Sequence, residues 1–314
     1  MVFCTHLNIF QKNIILFCLW CRRFKALQHL VILNYKLRRF TETTACYRNM
    51  LDFMSTVTRN ECTDAINAIL DAITNSTDVQ VLSTMYEITL EALKSANNER
   101  LWFNTNLKLA KLYLDARRIH ELEAIIDMLK RSCQLSTGVD DPAKGSYLLE
   151  VYCLEIQLCS ATQNVGRMRV IYPKTINLNA TASDPRIMGV IREEGGKMRM
   201  TEGNWNGAYN EFFEAFKSYQ EAGNSRAKDC LKYVVLASML ALNDINIFAA
   251  REAKAFSDDR EIQAMSELRD SLDRNDLARF EKTLRNKANR IVDEPFLMTY
   301  ITPLRRKIRE QVLQ

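Results

Sequence analysis

Residues 195–217 read GGKMRMTEGNWNGAYNEFFEAFK, and their spacing decides the architecture. Gly196, Ala208 and Ala215 are small, and Phe212 is a large aromatic. Between Gly196 and Ala208 lies the stretch Glu202-Gly203-Asn204-Trp205. Glycine ends helices in the left-handed conformation and asparagine caps helix starts, so these residues stop one helix and begin another. Helices joined by so short a turn run antiparallel. Small residues facing each other let the two backbones approach closely, and Phe212 fills the gap to the next element. The stretch reads as a close-packed helical hairpin.

The same register recurs upstream. With Ala110 in the place of Gly196, Tyr113 lies one turn on, and Leu122, Ile126 and Leu129 take the places of Ala208, Phe212 and Ala215. This spacing is similar to that of tetratricopeptide repeats, in degenerate form. The first 137 residues contain neither Gly nor Pro, and all nine glycines lie between Gly138 and Gly223. Within that first stretch the clusters Thr58-Arg59-Asn60, Asn75-Ser76-Thr77-Asp78 and Ser95-Ala96-Asn97-Asn98 supply turns and helix caps instead. Apolar residues between them recur at helical spacing. One helix is expected over 24–39, burying Leu27, Leu30, Val31, Leu33, Tyr35 and Leu37, and another over 42–57, with Tyr47, Met50, Leu51 and Met54. Further faces are Ile66, Ile69, Leu70, Ile73, and then Val81, Leu82, Met85, Tyr86, Leu90, Leu93. Asp141-Pro142, Asp184-Pro185 and Glu294-Pro295 each place an acidic cap before a proline suited to the first helical turn. With 9 Gly and 5 Pro in 314 residues, the chain lacks the turn residues that sandwiches, barrels and doubly wound sheets consume. The fold class is all-α, a TPR-like helical-hairpin solenoid, with more than about 70% helix and no sheet.

A formal net charge of +5 is small for a bulk nucleic-acid binder. The nine cysteines are odd in number and scattered, which reads as reduced intracellular thiols packed as small apolar groups. The apolar run from Ile14 to Trp20 has seven residues, against about 20 for a membrane span. Cys21-Arg22-Arg23 after it is a poor signal-peptide cleavage site, so residues 1–19 form an atypical N-terminal segment with no membrane role expected. The Cys18–Cys21 pair lacks both a second ligand pair and a βαβ setting. The sequons at Asn75 and Asn179 carry no signal in a cytosolic chain. There is no GxxxxGK[ST], strand-linked GxGxxG or HExxH, and His6, His29 and His120 are too far apart for a local zinc motif. Asp140-Asp141 and Asp258-Asp259 stand at helix starts, where they complement the helix dipole. No catalytic, metal-ligating or cofactor-binding residue is assigned, and the chain is read as a non-enzyme without a cofactor.

Two clusters of cations remain. Arg22, Arg23, Lys25, Lys36, Arg38 and Arg39 occupy residues 20–40 with no acid among them; Arg305, Arg306, Lys307 and Arg309 lie near the end. A solvated face explains either cluster. The N-terminal one equally suits a docking surface for an acidic partner.

Several blocks resemble a known family. Asn98 to Asn106 (NERLWFNTN) is followed by Lys108 to Leu114 (KLAKLYL); Ile187 to Glu193 (IMGVIRE) leads into Gly195 to Met198 (GGKM). Phe212 to Lys217, Cys230 to Tyr233 and Asp293 to Phe296 complete the series. In order and spacing they resemble the subunit-2 family of the COP9 signalosome, a PCI-domain family, over about residues 20–314. The paralogous proteasome regulatory-lid subunit looks similar over Phe212–Tyr233, while the blocks at 98–106 and 187–198 favour the signalosome. The resemblance implies a right-handed superhelical repeat arm, here 20–205, feeding the helical subdomain of a PCI domain, here 206–314, with the winged helix missing. It implies a non-catalytic scaffold that works with the other signalosome subunits in the nucleus and cytoplasm. Such a scaffold binds cullin–RING ubiquitin ligases, through the cullin C-terminal domain and its RING protein, so that Nedd8 can be removed. Neither nucleic acid nor membrane is a partner. In the family the helix matching 24–37 carries lysines of a pocket for the cullin end and an inositol polyphosphate. Lys25 matches, but Gln28 and Ile32 stand where lysine is expected, which counts against an inositol polyphosphate here. The reading from another class is a helical-repeat RNA-binding protein, which needs a basic stripe at every hairpin; these cations do not follow the repeat.

Overall fold

The helix starts are built by the polar clusters. Thr58 Oγ1 accepts from the Glu61 N–H at 3.3 Å and donates to the Glu61 carboxylate at 2.9 Å, a reciprocal cap for a helix beginning at Arg59. Asn98, Asn164 and Asn204 each accept a hydrogen bond from the backbone N–H three residues on. Asp141, Asp184 and Asp259 cap by accepting from the N–H two residues on, as expected of acids at helix starts. Glu294 precedes Pro295 at a helix start, but its carboxylate is taken up by Lys232 and Tyr233.

Helix ends are tight even without glycine. Arg38, Arg117, Gln163 and Asn275 adopt left-handed φ of 53–58°, as Gly203 and Gly223 do at 73° and 65°. After each, the next N–H reaches back five residues: Arg39 to Asn34 O, Arg118 to Tyr113 O, Asn164 to Cys159 O and Asp276 to Ser271 O, at 2.8–3.0 Å. A side chain in this conformation costs about 1 kcal/mol, which the hydrogen-bonded turn and the packing it permits offset.

This computed structural model describes residues 22–74, 79–96, 98–135, 137–178, 184–241 and 250–312. The segment 1–19, the Cys18–Cys21 pair, both sequons and the Asn75–Asp78 turn lie outside the described residues. Among the described residues the chain is 83% helical, with fifteen α-helices and no strand. The all-α expectation holds.

The chain divides into two compact units, Met1–Gln134 and Leu135–Gln314. The first holds α1 (22–36), α2 (Phe40–Asp52), α3 (Arg59–Thr74), α4 (Val79–Ala96), α5 (Glu99–Asp115) and α6 (Ile119–Ser132). Here α4 packs on α2, α3 and α5, and α5 on α6. Ile66, Ile69, Leu70, Ile73, Met85, Ala110, Leu122, Ile126 and Leu129 are fully buried, so the degenerate register at Ala110 is a packed hairpin as expected. Tyr47, inside this core, shares a 2.7 Å hydrogen bond with Thr89 Oγ1. The first two helices differ from the sequence reading. α1 stops at 36 because Arg38 turns left-handed, and α2 begins at Phe40 and ends at Asp52, followed by a 3-10 turn over Met54–Thr56.

The second unit holds α7 (Gly145–Ala161), α8 (Val165–Asn177), α9 (Pro185–Thr201), α10 (Trp205–Glu221), α11 (Arg226–Ala241), α12 (Arg251–Lys254), α13 (Arg260–Asp273), α14 (Leu277–Arg285) and α15 (Pro295–Val312). α10 lies between α9 and α11, and α11 carries α13 and α15. A Cβ placed on Gly196 would stand 2.5 Å from the Phe212 ring, and one on Gly189 would stand 2.7 Å from the Tyr219 ring. Glycine is needed there to let α9 meet the aromatic face of α10. Ala208, Phe212 and Ala215 are wholly buried, so the stretch 195–217 forms a close-packed hairpin as its spacing predicts.

Two groups of buried charges tie its helices together. On α9, Glu193 accepts from Tyr219 Oη of α10 at 2.9 Å, pairs with Lys197 at 2.8 Å, and is held by the Arg226 guanidinium of α11. Burial alone would raise the Glu193 carboxyl, but Arg226 and Lys197 outweigh it and hold it below the usual carboxylate range. On α11, Lys232 is 4% exposed and pairs with Asp229 at 2.9 Å, Glu261 of α13 at 3.2 Å and Glu294, beside α15, at 3.0 Å. Burial would lower its ammonium; the Asp229 and Glu294 carboxylates raise it instead.

Replacing Ala208 by Leu should destabilise the chain by about 1–3 kcal/mol, the usual cost of overpacking. Chemical denaturation measures it, and a change of a few tenths would mean that α9 and α10 do not cross at this register. Lys232→Met should cost about 1–3 kcal/mol, because it takes a counter-charge from half-buried Asp229 and Glu294, while Glu261 keeps Lys228 at 2.9 Å. The two charge groups also set the pH window. Glu193 lies below its unfolded value, so its stabilisation is present above about pH 4.3 and is lost as pH falls through the folded value. Lys232 lies above its unfolded value, so its contribution is present below about pH 10.4 and is lost as pH rises through the raised value. Thermal melts across pH should be flat between these limits and fall outside them. In Lys232→Met the alkaline fall should shrink while the acid one remains.

Candidate functional site

Among the described residues no group of three or more His, Cys, Asp or Glu could hold a metal ion. No helix there is long and apolar enough to cross a membrane. Cys62, Cys133, Cys153, Cys159 and Cys230 are buried, and Cys46 is half-buried. Burial pushes the Cys62 thiol up to about 11 and raises Cys230 as well, the reverse of what a nucleophile needs. A cleft of about 260 Å³ between α7, α8, α9 and α15 is lined by Met168, Met198, Phe296 and Tyr300. Its charged groups are committed: Glu194 takes Lys197 at 2.7 Å and the Ser160 hydroxyl at 2.6 Å.

The surface is more informative. The six N-terminal cations all lie at or just beyond α1, and all are exposed. Arg22, Arg23 and Lys25 stand at its start. Lys36 ends it, and Arg38 and Arg39 form the turn into α2. Lys25 and Lys36 are about 16 Å apart along the axis, so the cations make two clusters. The Arg23 guanidinium carbon lies over the Phe53 ring, 4.5 Å from its centre, in cation–π contact. Arg39 meets Glu42 at 3.4 Å in solvent, a weak pairing. Gln28 and Ile32, where the family resemblance expects lysine, are half-buried. Of the C-terminal cluster, Arg305 and Arg309 are spent on Glu281 of α14, at 2.8 and 3.0 Å, which supports a structural role for them; Arg306 is exposed.

α1 is anchored to its unit by Phe24 and Val31, both buried, and by Tyr35, whose hydroxyl donates to Ile73 O at 3.4 Å. The apolar residues of this helix do not share one face, contrary to the sequence reading. Leu30, Leu33 and Leu37 are 44%, 54% and 55% exposed. Angular position on the helix was the available signal. At about 100° per residue Phe24, Val31 and Tyr35 cluster on one side, and Leu30, Leu33 and Leu37 on the other.

No protein-family model matches the chain. Curated proteins do. A Drosophila melanogaster protein is 43% identical over 291 residues, covering 92% of this chain and 66% of the relative. A Dictyostelium discoideum protein is 41% identical over 293 residues, covering 92% and 65%. A Schizosaccharomyces pombe protein is 33% identical over 293 residues, covering 92% and 67%. The chain spans about two thirds of the length of these curated relatives, or slightly less. All three bear the name COP9 signalosome complex subunit 2, and none of the three is named for the proteasome lid. With identity at this level along nine-tenths of its residues, and with the all-α hairpin architecture above, the chain belongs to the COP9 signalosome complex subunit 2 family.

Proposed function

We propose that this chain is a non-catalytic scaffold subunit of a COP9 signalosome, acting in the nucleus and cytoplasm. Its N-terminal helical arm recruits cullin–RING ubiquitin ligases so that Nedd8 can be removed from the cullin by a different subunit. In this reading residues 20–205 are the repeat arm and 206–314 the helical subdomain of a PCI domain. The observation that carries it is the row of exposed cations on α1, in a chain whose relatives are named for that complex. An acidic cullin C-terminal domain, with its RING protein, is wide enough to bridge the clusters at the two ends of α1, about 16 Å apart. A single phosphate is not. Gln28 and Ile32 give an inositol polyphosphate no cation between the clusters, so the charge is used for steering a protein partner.

Reversing Lys36, Arg38 and Arg39 to Glu should lower the association rate of the purified chain for a cullin–RING C-terminal fragment by roughly tenfold at low salt. The two rates should converge once the Debye length falls below about 8 Å. Helix content by circular dichroism should not change, because exposed charges contribute little to stability. Equal association rates at low salt would leave the cations as a solvated face and end the docking reading.

A further inference from the structure

We propose that Thr41 is a phosphorylation site for a basophilic protein kinase, and that the phosphate switches off the cation cluster at the end of α1. The switch rests on the docking reading of this arm; the site itself does not.

A kinase of this class holds its substrate by cationic side chains three and two residues before the acceptor hydroxyl, because guanidinium groups pair with carboxylates of its peptide groove. Arg38-Arg39-Phe40-Thr41 has that arrangement. Consecutive basic residues also occur at 22–23, 117–118, 130–131 and 305–307, but the residues two places beyond them are Lys25, His120, Cys133, Ile308 and Arg309. Thr41 is therefore the one serine or threonine of the sequence with a cation at both places. The fold leaves the motif open to a second protein. Arg38, Arg39 and Thr41 are exposed, and Phe40 is half-buried. Arg38 has φ 58°, and Arg39 has φ −93° and ψ 73°, so both cations lie outside helical geometry in the turn between α1 and α2. Thr41 is the second residue of α2, and the start of that helix has no side-chain cap. The N–H groups of a first helical turn have no acceptor within the helix, so this turn opens more readily than the interior. The neighbouring hydroxyls are engaged. Thr43 is buried and donates to Arg39 O at 2.8 Å, and Thr44 donates to Thr41 O at 2.9 Å. The Thr41 hydroxyl makes no such bond among the described residues.

In the transfer, the Thr41 oxygen attacks the γ-phosphorus of ATP and the bond to the β–γ bridging oxygen breaks. ADP leaves, and the hydroxyl proton passes to the catalytic carboxylate of the kinase. The product carries about −1.5 to −2 charge at neutral pH. It stands in the first turn of α2, where a helix favours an anion, so the modification leaves α2 intact. It also follows Arg38 and Arg39 directly in sequence. Lys36, Arg38 and Arg39 carry three positive charges, and Glu42, 3.4 Å from Arg39, offsets one. A phosphate of nearly two negative charges cancels the remainder. Arg22, Arg23 and Lys25 lie at the other end of α1, about 16 Å away along the axis, beyond the Debye length of about 8 Å in physiological salt. They keep their charge. Phosphorylation thus removes one of the two positive ends that an acidic partner bridges, and slows its approach without reshaping the arm.

The test incubates the full chain with radiolabelled ATP and the catalytic subunit of cyclic-AMP-dependent protein kinase, a basophilic enzyme. Incorporation should approach one phosphate per chain, and peptide mass spectrometry should place it on Thr41. Thr41→Ala should abolish the label. Arg38→Ala/Arg39→Ala keeps the hydroxyl and should lower kcat/KM for phosphorylation by about tenfold or more. Helix content by circular dichroism should be unchanged in both variants, since the replaced side chains are exposed. Absence of incorporation, or label that persists in Thr41→Ala, overturns the site. So does an arginine variant phosphorylated as fast as the wild type, which would leave an accessible hydroxyl without recognition by the cations. The switch is read separately, by the association rate of phosphorylated and unmodified chain with the cullin–RING C-terminal fragment. Phosphorylation should slow association by about threefold at low salt, and the two rates should converge at high salt. Equal rates at low salt overturn the switch. An unmodified chain that ignores the fragment ends the cullin reading and the switch with it, while stoichiometric, arginine-dependent labelling of Thr41 sustains the site.

Discussion

The contact between Gly196 and Phe212 is the constraint from which the second unit is built. A buried aromatic ring on α10 needs a backbone, not a side chain, opposite it, and α9 supplies one at Gly196 and again at Gly189 for Tyr219. That approach fixes how α9 and α10 lie. It brings the Tyr219 hydroxyl to the Glu193 carboxylate, and Arg226 on α11 closes over the same carboxylate. Without the close crossing, Glu193 would be a nearly buried charge with fewer donors, and such a charge is expensive. The small residues and the charged ones are therefore two parts of one device. The first permits the approach that lets the second be satisfied.

Lys232 extends the device. Its stem lies in the core of α11, and its ammonium gathers carboxylates from α11, α13 and the start of α15. Glu294, placed by Pro295 at the beginning of α15, links that helix to α11 a second time through the Tyr233 hydroxyl. Hydrophobic contacts alone tolerate sliding of one helix past another. A buried ammonium with three carboxylates has few alternative arrangements, so these pairs set where α13 and α15 begin on α11.

The hairpin at 195–217 was legible because it depends on residue size, which sequence records directly. A glycine followed at fixed distance by Ala208 and Phe212 has few other readings. The degenerate register at Ala110 was legible for the same reason, through Tyr113 and the apolar triplet at 122, 126 and 129. The buried charges were not. Glu294 looked like a cap before a proline and Lys232 like any helical lysine. Whether such a group is solvated or buried depends on partners 29 to 62 positions away, at Glu261 and Glu294. The helix boundaries near Arg38 were also hidden, because a left-handed arginine leaves no mark of its own where glycine would have. The face of α1 lies between these cases. All six cations were visible as a cluster without acids. The leucines among them have the residue type of a core face, and only their angular position on the helix sets them outward.

Sorting those leucines outward changes what α1 can do. A helix with one buried face and one solvated charged face steers a partner but does not hold it, because exposed charges are screened within about 8 Å in physiological salt. Apolar contact is not screened, but it is slow to find its mate. α1 carries both, on a helix whose inner side is fixed by Phe24, Val31 and Tyr35. The cations stand at the two ends of α1 and the leucines between them, so along this helix a long-range, salt-dependent interaction and a short-range, salt-independent one occupy different residues.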